Sequence, residues 1–410
     1  MNKEYIRIKR KETSVKLQAS AINSIRIKDI VRNAVRVYKD DKLGIAGAIG
    51  STSIADLEQQ AETNLAANIP YPYPIEANHK DHRDYRETNY TEQDIMTMTE
   101  TLLNELNKEY DDFIYSESLQ AVTIDYTMTN TAGLDLRYQD EYVNLGFVVK
   151  AKQSANLFDT FISWSGRKLD LPRLTTFAKQ QLKAERNLVD LPEGDKVPVF
   201  FADLSTVGGY LVRQLNGETY GNKASLFDGK LGEKLFHDKL NVVQDDDPKT
   251  SFTRFFDAEG VTKENDRVPL ITDGVLTNVF TDKKNAAKFD LPHTGSASGG
   301  YDDVPRVQMV AARPLVDSKD IAKTLNGKPA IFVMVSAGGD FTAEGHYATP
   351  VQAAYLFDGK QFIGKLPNFN MNNSIYKMLG EDYIGTFQAD HLYFSDDYYV
   401  LGCYMNVKSE

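Results

Sequence analysis

Hydrophobic positions in this chain recur in two periods, two and about three and a half. From Thr13 to Ala19 they alternate, with Val15, Leu17 and Ala19 on one face and Ser14, Lys16 and Gln18 on the other. That pattern predicts a half-buried strand. Val35 and Val37 carry it to a turn at Asp40, Asp41 and Lys42, and Ile45, Ala46 and Gly47 return as the second arm of a hairpin. Ser53 then precedes a helical period, Ile54, Leu57, Ala61 and Leu65. Thr91 and Asp94 resemble a capping box, with Asp in place of the usual Glu, ahead of the stripe Ile95, Met98, Leu102 and Leu106. Val122, Ile124, Tyr126 and Met128 alternate with Thr123, Asp125, Thr127 and Thr129. Asn130–Gly133 reads as a turn, Leu134, Leu136 and Tyr138 as the returning strand, and Leu145–Val149 as a third strand. Trp164, near the end of this block, is read as packing, and Asp170 with Pro172 opens a helix reaching about Leu188.

Leu191–Lys196, LPEGDK, interrupts both periods with Pro, Gly and charge, and marks the domain boundary. Beyond it, Leu204, Val207, Leu211 and Leu215 form one more helical stripe, with Ser205 as the expected cap. Asn216 and Gly217 weaken that helix, and a loop through Ser225, Leu226 and Phe227 ends in a turn at Asp228 and Gly229. Asp273-Gly274, Gly338-Gly339 and Asp358-Gly359 are hairpin signals. The expected fold is α+β in two domains. Residues 1–190 place helices against antiparallel or mixed strands, and residues 191–410 are β-rich.

Composition narrows the class. The 410 residues carry a net charge of −11, which argues against a general nucleic-acid surface. Cys403 is the single cysteine, so there is no internal disulfide framework, which fits a reducing compartment. The first residues, MNKEYIRIKRKE, hold no apolar core of signal-peptide length, and no run approaches the ~20 apolar residues of a membrane span. These features lead to the expectation of a cytoplasmic protein without membrane or nucleic-acid partners. Ile69–Tyr90, rich in Pro and Tyr, reads as a linker or irregular crossing, with His79, Asp81 and His82 solvated rather than ligating. Asp245, Asp246 and Asp247 before Pro248 read as a solvated turn, since a calcium loop needs oxygens at several spaced positions. Gly295–Gly299 reads G-S-A-S-G. Ala297 stands where a nucleophile elbow needs its serine, so no serine-hydrolase site is expected there.

Several strings occur together in one order: VRVYKDDKLGIAGA near the start, the stretch Leu204–Asp247, then FDAEGV (Phe256–Val261), LITDGVL (Leu270–Leu276), HTGSAS (His293–Ser298), GGDF (Gly338–Phe341) and AYLFDGK (Ala354–Lys360). Over nearly the whole chain this resembles the TldD/PmbA family, often labelled modulators of DNA gyrase. The TldD branch of that family is a zinc peptidase with His-Glu-x-x-x-His on a helix. Laying Gly209 on the family glycine puts Arg213 at the first His, Gln214 at the Glu and Glu218 at the second His. Arg213 cannot ligate, and Gln214 cannot take a proton from water. The third ligand, a Cys in Cys-Gly-Lys, belongs between Ile384 and Phe387, where this chain reads IGTF. Cys403 follows later in LGCYMNV, is not followed by Gly-Lys, and reads as a buried small residue.

The resemblance therefore implies the zinc-less PmbA branch, also called TldE, with no cofactor and no catalytic residue in this chain. It implies a β-rich C-terminal domain holding the cleft, with Arg213, Gln214, Glu218, Gly339, Asp340 and His346 as candidate cleft residues. His346 either meets a peptide carboxylate or caps a strand, and the structural role is favoured. The expected function is the zinc-less subunit of a two-component metallopeptidase that processes peptides and unfolded proteins. It would pair with a zinc-bearing TldD-like subunit or with itself as a dimer. The alternative is a stand-alone peptide-binding or regulatory homodimer without peptidase activity.

Overall fold

The computed structural model describes residues 1–308, 310–318, 320–336 and 338–409. The first half holds β1 (Asn2–Gln18), β2 (Ala21–Lys39), β3 (Lys42–Ile49), α1 (Ile54–Asn64), β4 (Ile69–Pro70), β5 (Lys80–Asp84), α2 (Glu92–Glu109), β6 (Phe113–Asn130), β7 (Asp135–Ala151), β8 (Thr160–Gly166) and α3 (Leu171–Arg186). They form one sheet in the order β4-β3-β2-β1-β6-β7, with β5 and β8 along successive parts of the outer edge of β7. Only β5 and β7 run parallel in it.

The period-two expectations hold in kind and fall short in length. Val15 and Leu17 are buried on β1, but Ala19 and Ser20 form the turn, both at positive φ. β1 also starts at Asn2 rather than Thr13, inside the charged N-terminal stretch. Charge hid it, because the inward residue Glu4 is paired with inward Arg36 directly opposite on β2. The two strands expected at Leu134–Tyr138 and Leu145–Val149 are a single strand, β7, held in register with β6 over its whole length. The proline-tyrosine crossing contains β4 and β5, so it is not wholly irregular, and His82 Nε2 lies 2.8 Å from Asp135 Oδ1. The helix signals are local and were read locally. Ser53 caps α1, Thr91 and Asp94 make a full capping box on α2, and Asp170 caps α3.

The second half holds β9 (Lys196–Phe201), α4 (Ser205–Gln214), α5 (Gly217–Gly221), β10 (Val242–Asp245), β11 (Arg267–Thr272), β12 (Val275–Leu276), α6 (Lys283–Phe289), β13 (Ala297–Ser298), β14 (Arg306–Val307), β15 (Ala312–Pro314), α7 (Ile321–Leu325), β16 (Ala330–Ser336), β17 (Asp340–Phe341), β18 (His346–Phe357), β19 (Phe362–Lys365), β20 (Phe369–Ser374), α8 (Ile375–Met378), β21 (Tyr383–Gln388) and β22 (Tyr399–Ser409). Strands β16-β9-β22-β20-β18 pair in sequence, and β18 pairs back to β16, so this sheet closes on itself. With helices and several sheets in one chain, the fold is α+β.

Asp273-Gly274 turns β11 into β12, and Asp358-Gly359 turns β18 into β19, as their signals predict. Gly338-Gly339 makes no hairpin. Both β16 and β17 pair with β18, and the reversal comes later, where Gly345 N donates to the Thr342 carbonyl. Leu191–Lys196 is an exposed to half-exposed loop. A single hydrophobic cluster nevertheless crosses it, joining Leu145, Trp164 and Leu182 to Phe200, Phe332, Tyr355 and Val400. Among the described residues, no helix is long and apolar enough to cross a membrane.

Candidate functional site

The helix at the centre of the sequence reading is α4. Ser205 is its first residue and not its cap. The Asp203 carboxylate accepts from Ser205 N at 2.7 Å and Ser205 Oγ at 2.8 Å and fixes the chain as it enters the helix. Val207, Leu211 and Leu215 bury the predicted stripe, joined by Tyr210 and Val212. The helix stops because Asn216 leaves the helical region at ψ 123° and turns its side chain forward to accept from Glu218 N and Thr219 N, which starts α5. Gly217 is required here, since a Cβ would sit 2.8 Å from the Phe280 carbonyl oxygen.

The structure divides the six cleft candidates into three groups. Arg213 is exposed on α4, with its guanidinium 5.8 Å from the Tyr210 ring centre. Tyr210 stacks on Phe341 at 4.1 Å, Phe341 stacks on Tyr347 at 4.6 Å, and Tyr210 Oη donates to the Thr342 carbonyl at 3.3 Å. That stack brings in the hairpin of β17 and β18 with Gly339, Asp340 and His346. Gly339 presses on Thr349, where a Cβ would lie 2.1 Å from the Thr349 Cβ. Asp340 is exposed and takes Phe341 N at 2.7 Å. His346 has an exposed ring, and its backbone exchanges bonds with Thr342. Arg213, Gly339, Asp340 and His346 are therefore neighbours of one aromatic stack.

Gln214 points the other way. It is 8% exposed, and its Oε1 accepts from Leu226 N at 2.7 Å while its carbonyl accepts from Ser225 Oγ at 2.6 Å. Its side chain brackets the Ser225–Phe227 loop against the end of α4. Glu218, at the start of α5, stands on the rim of a separate cavity with Tyr71, Tyr73, Glu259 and Asp282. Among the described residues, Arg213 and Glu218 form no ion pair.

The family's zinc does not fit this donor set. Arg213 is a permanent cation, the Gln214 amide oxygen already holds a backbone N–H, and Glu218 faces another cavity. Residues 384–387 lie in β21, where Gly385 pairs with Gly402 and no thiolate is supplied. Cys403 is fully buried in β22, and burial pushes its thiol well above the usual range. Among the described residues, no group of three or more His, Cys, Asp or Glu is placed to hold a metal ion.

Asp245–Asp247 correct the expectation of a solvated turn. Asp245 is 1% exposed at the end of β10, with Arg267 Nε at 3.0 Å and Arg313 at 3.6 Å, and Asp246 meets Lys263 at 2.5 Å. Strand alternation turns Asp245 inward, and three cations compensate it and its neighbour. A further cavity, about 580 Å³, lies between β8, β16 and the start of α4, lined by Ser163, Ser205, Thr206 and Ser336 and open above Gly146. Its residues come from five distant segments, so no local pattern announced it.

Residues 195–388 match the model of the PmbA/TldA metallopeptidase C-terminal domain. Over that segment, just under half of the chain, the sequence is similar to the TldD/PmbA family. The fold is that of TldE from Thermococcus kodakarensis, with a TM-score of 0.81 at 14% identity, covering 100% of this chain and 97% of that one. A protein of Methanocaldococcus jannaschii without an assigned function is 23% identical over 380 residues, 88% of this chain and 86% of its own. A metalloprotease of Methanothermobacter thermautotrophicus is 32% identical over 85 residues, 21% of this chain and 18% of its own. The three positions that the resemblance lays on the metal motif, Arg213 and Gln214 on α4 and Glu218 on α5, do three different things here.

Proposed function

We propose that this chain is the zinc-less subunit of a two-component TldD/PmbA peptidase. It pairs with a zinc-bearing TldD-like subunit, binds peptide in extended form and cleaves nothing alone. The observation that supports the reading is Gln214, which the resemblance lays on the general-base position and which is committed to the Ser225–Leu226 loop, beside an Arg213 that cannot ligate a metal. Exposed Arg213 beside the aromatic stack supports a role in holding a peptide carboxylate, for which a guanidinium fork is suited.

Purification from the native cell should bring down a His-Glu-x-x-x-His homologue, and elemental analysis of this chain alone should find no stoichiometric zinc. Calorimetric titration with an extended peptide should show binding without turnover. Arg213→Ala should weaken it roughly ten-fold, the equivalent of one charge-assisted contact. Unchanged affinity removes Arg213 from the site. Chelator-insensitive cleavage by the chain alone refutes the non-catalytic reading, and recovery of the chain only with itself favours the homodimer.

A further inference from the structure

The cavity that Glu218 borders is about 480 Å³ and opens between the proline-tyrosine crossing and α6. Its rim is mixed in charge, with Glu218 and Asp303 against Lys284 and Arg306, all exposed. Its floor is not mixed. Glu259, Asp282, Asn285 and Tyr71 are 3%, 0%, 3% and 6% exposed. Glu259 accepts from Tyr71 Oη at 2.8 Å and Lys283 N at 3.1 Å. Asp282 accepts from Asn285 N at 2.7 Å, Asn285 Nδ2 at 2.8 Å and Val307 N at 2.9 Å. Every one of these donors is neutral, and neither carboxylate joins an ion pair among the described residues. Lys283, on the adjoining residue, sends its Nζ to the Pro74 carbonyl at 2.6 Å and to Glu76 at 2.9 Å. Asp257, two residues before Glu259, is also buried and is met by the backbone N–H groups of Glu259, Val261 and Ala297.

A second observation points the same way. Asn285 uses its Nδ2 on Asp282, and its Oδ1 is left without a donor in the wall of this cavity. Buried carboxylates without a counter-charge and an acceptor without a donor are both unfavourable, and one occupant relieves both. That occupant is positively charged and rich in N–H groups. The Tyr71 and Tyr73 rings in the wall suit a cation as well. A compact metal ion is not suited, since no described group of three acids, His or Cys is placed to surround one.

We propose that this cavity is a binding site for an organic cation, a guanidinium or primary ammonium group of the kind carried by a basic peptide side chain. The peptide as its bearer rests on the function proposed above, whereas the cation site does not. The Glu259 carboxyl is pushed up to about 7, by burial first and the charge of Asp257 second. Asp257, Asp282, Lys283 and Tyr71 face it, Tyr38 stands behind Tyr71, and the rim supplies Glu218, Asp303, Lys284 and Arg306. Binding should therefore weaken as pH falls from 8 to 6 and Glu259 takes a proton.

The test is calorimetric titration of the full chain at pH 8 with N-acetyl-argininamide, N-acetyl-lysinamide and N-acetyl-citrullinamide, the last a neutral isostere of the first. The two cations should bind, and citrulline should bind at least about ten-fold more weakly. Glu259→Gln should lose at least about ten-fold for arginine, because its amide still accepts from Lys283 N and donates to Tyr71 but carries no charge. Equal binding of arginine and citrulline overturns the proposal, as does undiminished binding in a folded Glu259→Gln. Should that variant misfold, the arginine–citrulline comparison on the unaltered chain decides alone. Binding of the small cation without binding of any peptide sinks the peptide function and leaves the site. A neutral peptide that binds as well as its arginine-bearing counterpart keeps the function and sinks the site.

Discussion

Glu4 and Arg36 face each other across β1 and β2, each 1% exposed, with Arg36 Nη1 3.0 Å from Glu4 Oε1. Tyr38 Oη donates to the same Glu4 oxygen at 3.2 Å. The guanidinium also reaches out of its sheet, to the Ala258 carbonyl at 2.6 Å and the Asp303 carbonyl at 3.3 Å. It thus ties the first sheet to the loop that carries Glu259. Glu4→Met removes the anion alone and leaves a buried cation with two carbonyl oxygens. Breaking one side of a buried pair costs about 3–5 kcal/mol, a large part of the roughly 5–15 kcal/mol that holds a native protein folded. Glu4→Met/Arg36→Met removes both charges and should recover most of that loss, since well-packed apolar residues replace buried pairs at little cost. The assay is urea denaturation followed by the fluorescence of Trp164, the single tryptophan, 1% exposed in the core shared by both halves. Circular dichroism as a second probe tests for a single transition. A Glu4→Met loss below about 1 kcal/mol, or a double variant less stable than the single one, refutes the reasoning.

Gln214→Leu should leave Leu226 N without its acceptor and destabilise by about 1–3 kcal/mol, read from the urea midpoint; an unshifted midpoint means that the bracket is dispensable. Glu259 has a raised carboxyl, so its contribution is present in full below about pH 4.5 and is lost as pH rises through about 7. The stability of the parent chain relative to Glu259→Gln should fall by up to roughly 3 kcal/mol between pH 4.5 and 8, and a flat difference contradicts the burial argument. We propose Leu191–Lys196 as the boundary between residues 1–190 and 191–410, and protease should nick it first. The fragments should stay together on gel filtration because one core crosses the cut, and early cuts inside β6 or β7 contradict this.

What was legible in the sequence was what is local. The capping box at Thr91 and Asp94, the Asp170 cap and the Asp-Gly turns act within four residues, and each appears where its pattern lies. The alternation from Val122 to Met128 fixed a strand face, but not that β6 and β7 run paired for seventeen residues, because strand length is set by the partner. Inward charges defeated the hydrophobic pattern twice, at Glu4 and at Asp245, each matched by an arginine far along the chain. The cleft candidates came from resemblance, and their sorting into stack, bracket and rim depends on side-chain direction, which spacing alone does not give. The Glu259 cavity joins Tyr71, Glu218, Glu259 and Asn285 from four segments; the proline-tyrosine stretch, Glu218 and the FDAEGV string were each singled out in the sequence, but nothing in their spacing joined them.

The residue at 214 shows how a position laid on a metal motif by resemblance can be fixed by its own surroundings. The position is 8% exposed and holds a backbone N–H in a loop that packs Phe227 into the core. A glutamate there would make the same hydrogen bond, but its charge would be buried, and without a nearby dication nothing compensates it. Glutamine keeps the acceptor and drops the charge. Arg213 is under no such constraint, because it lies on the solvent side of the same turn, where a cation is hydrated at no cost. Glu218 is acidic on a rim where Lys284 and Arg306 also stand. Each residue thus follows from its own surroundings. The three positions do not converge on one point, which is what a metal centre requires of its ligands and of the residues that orient them.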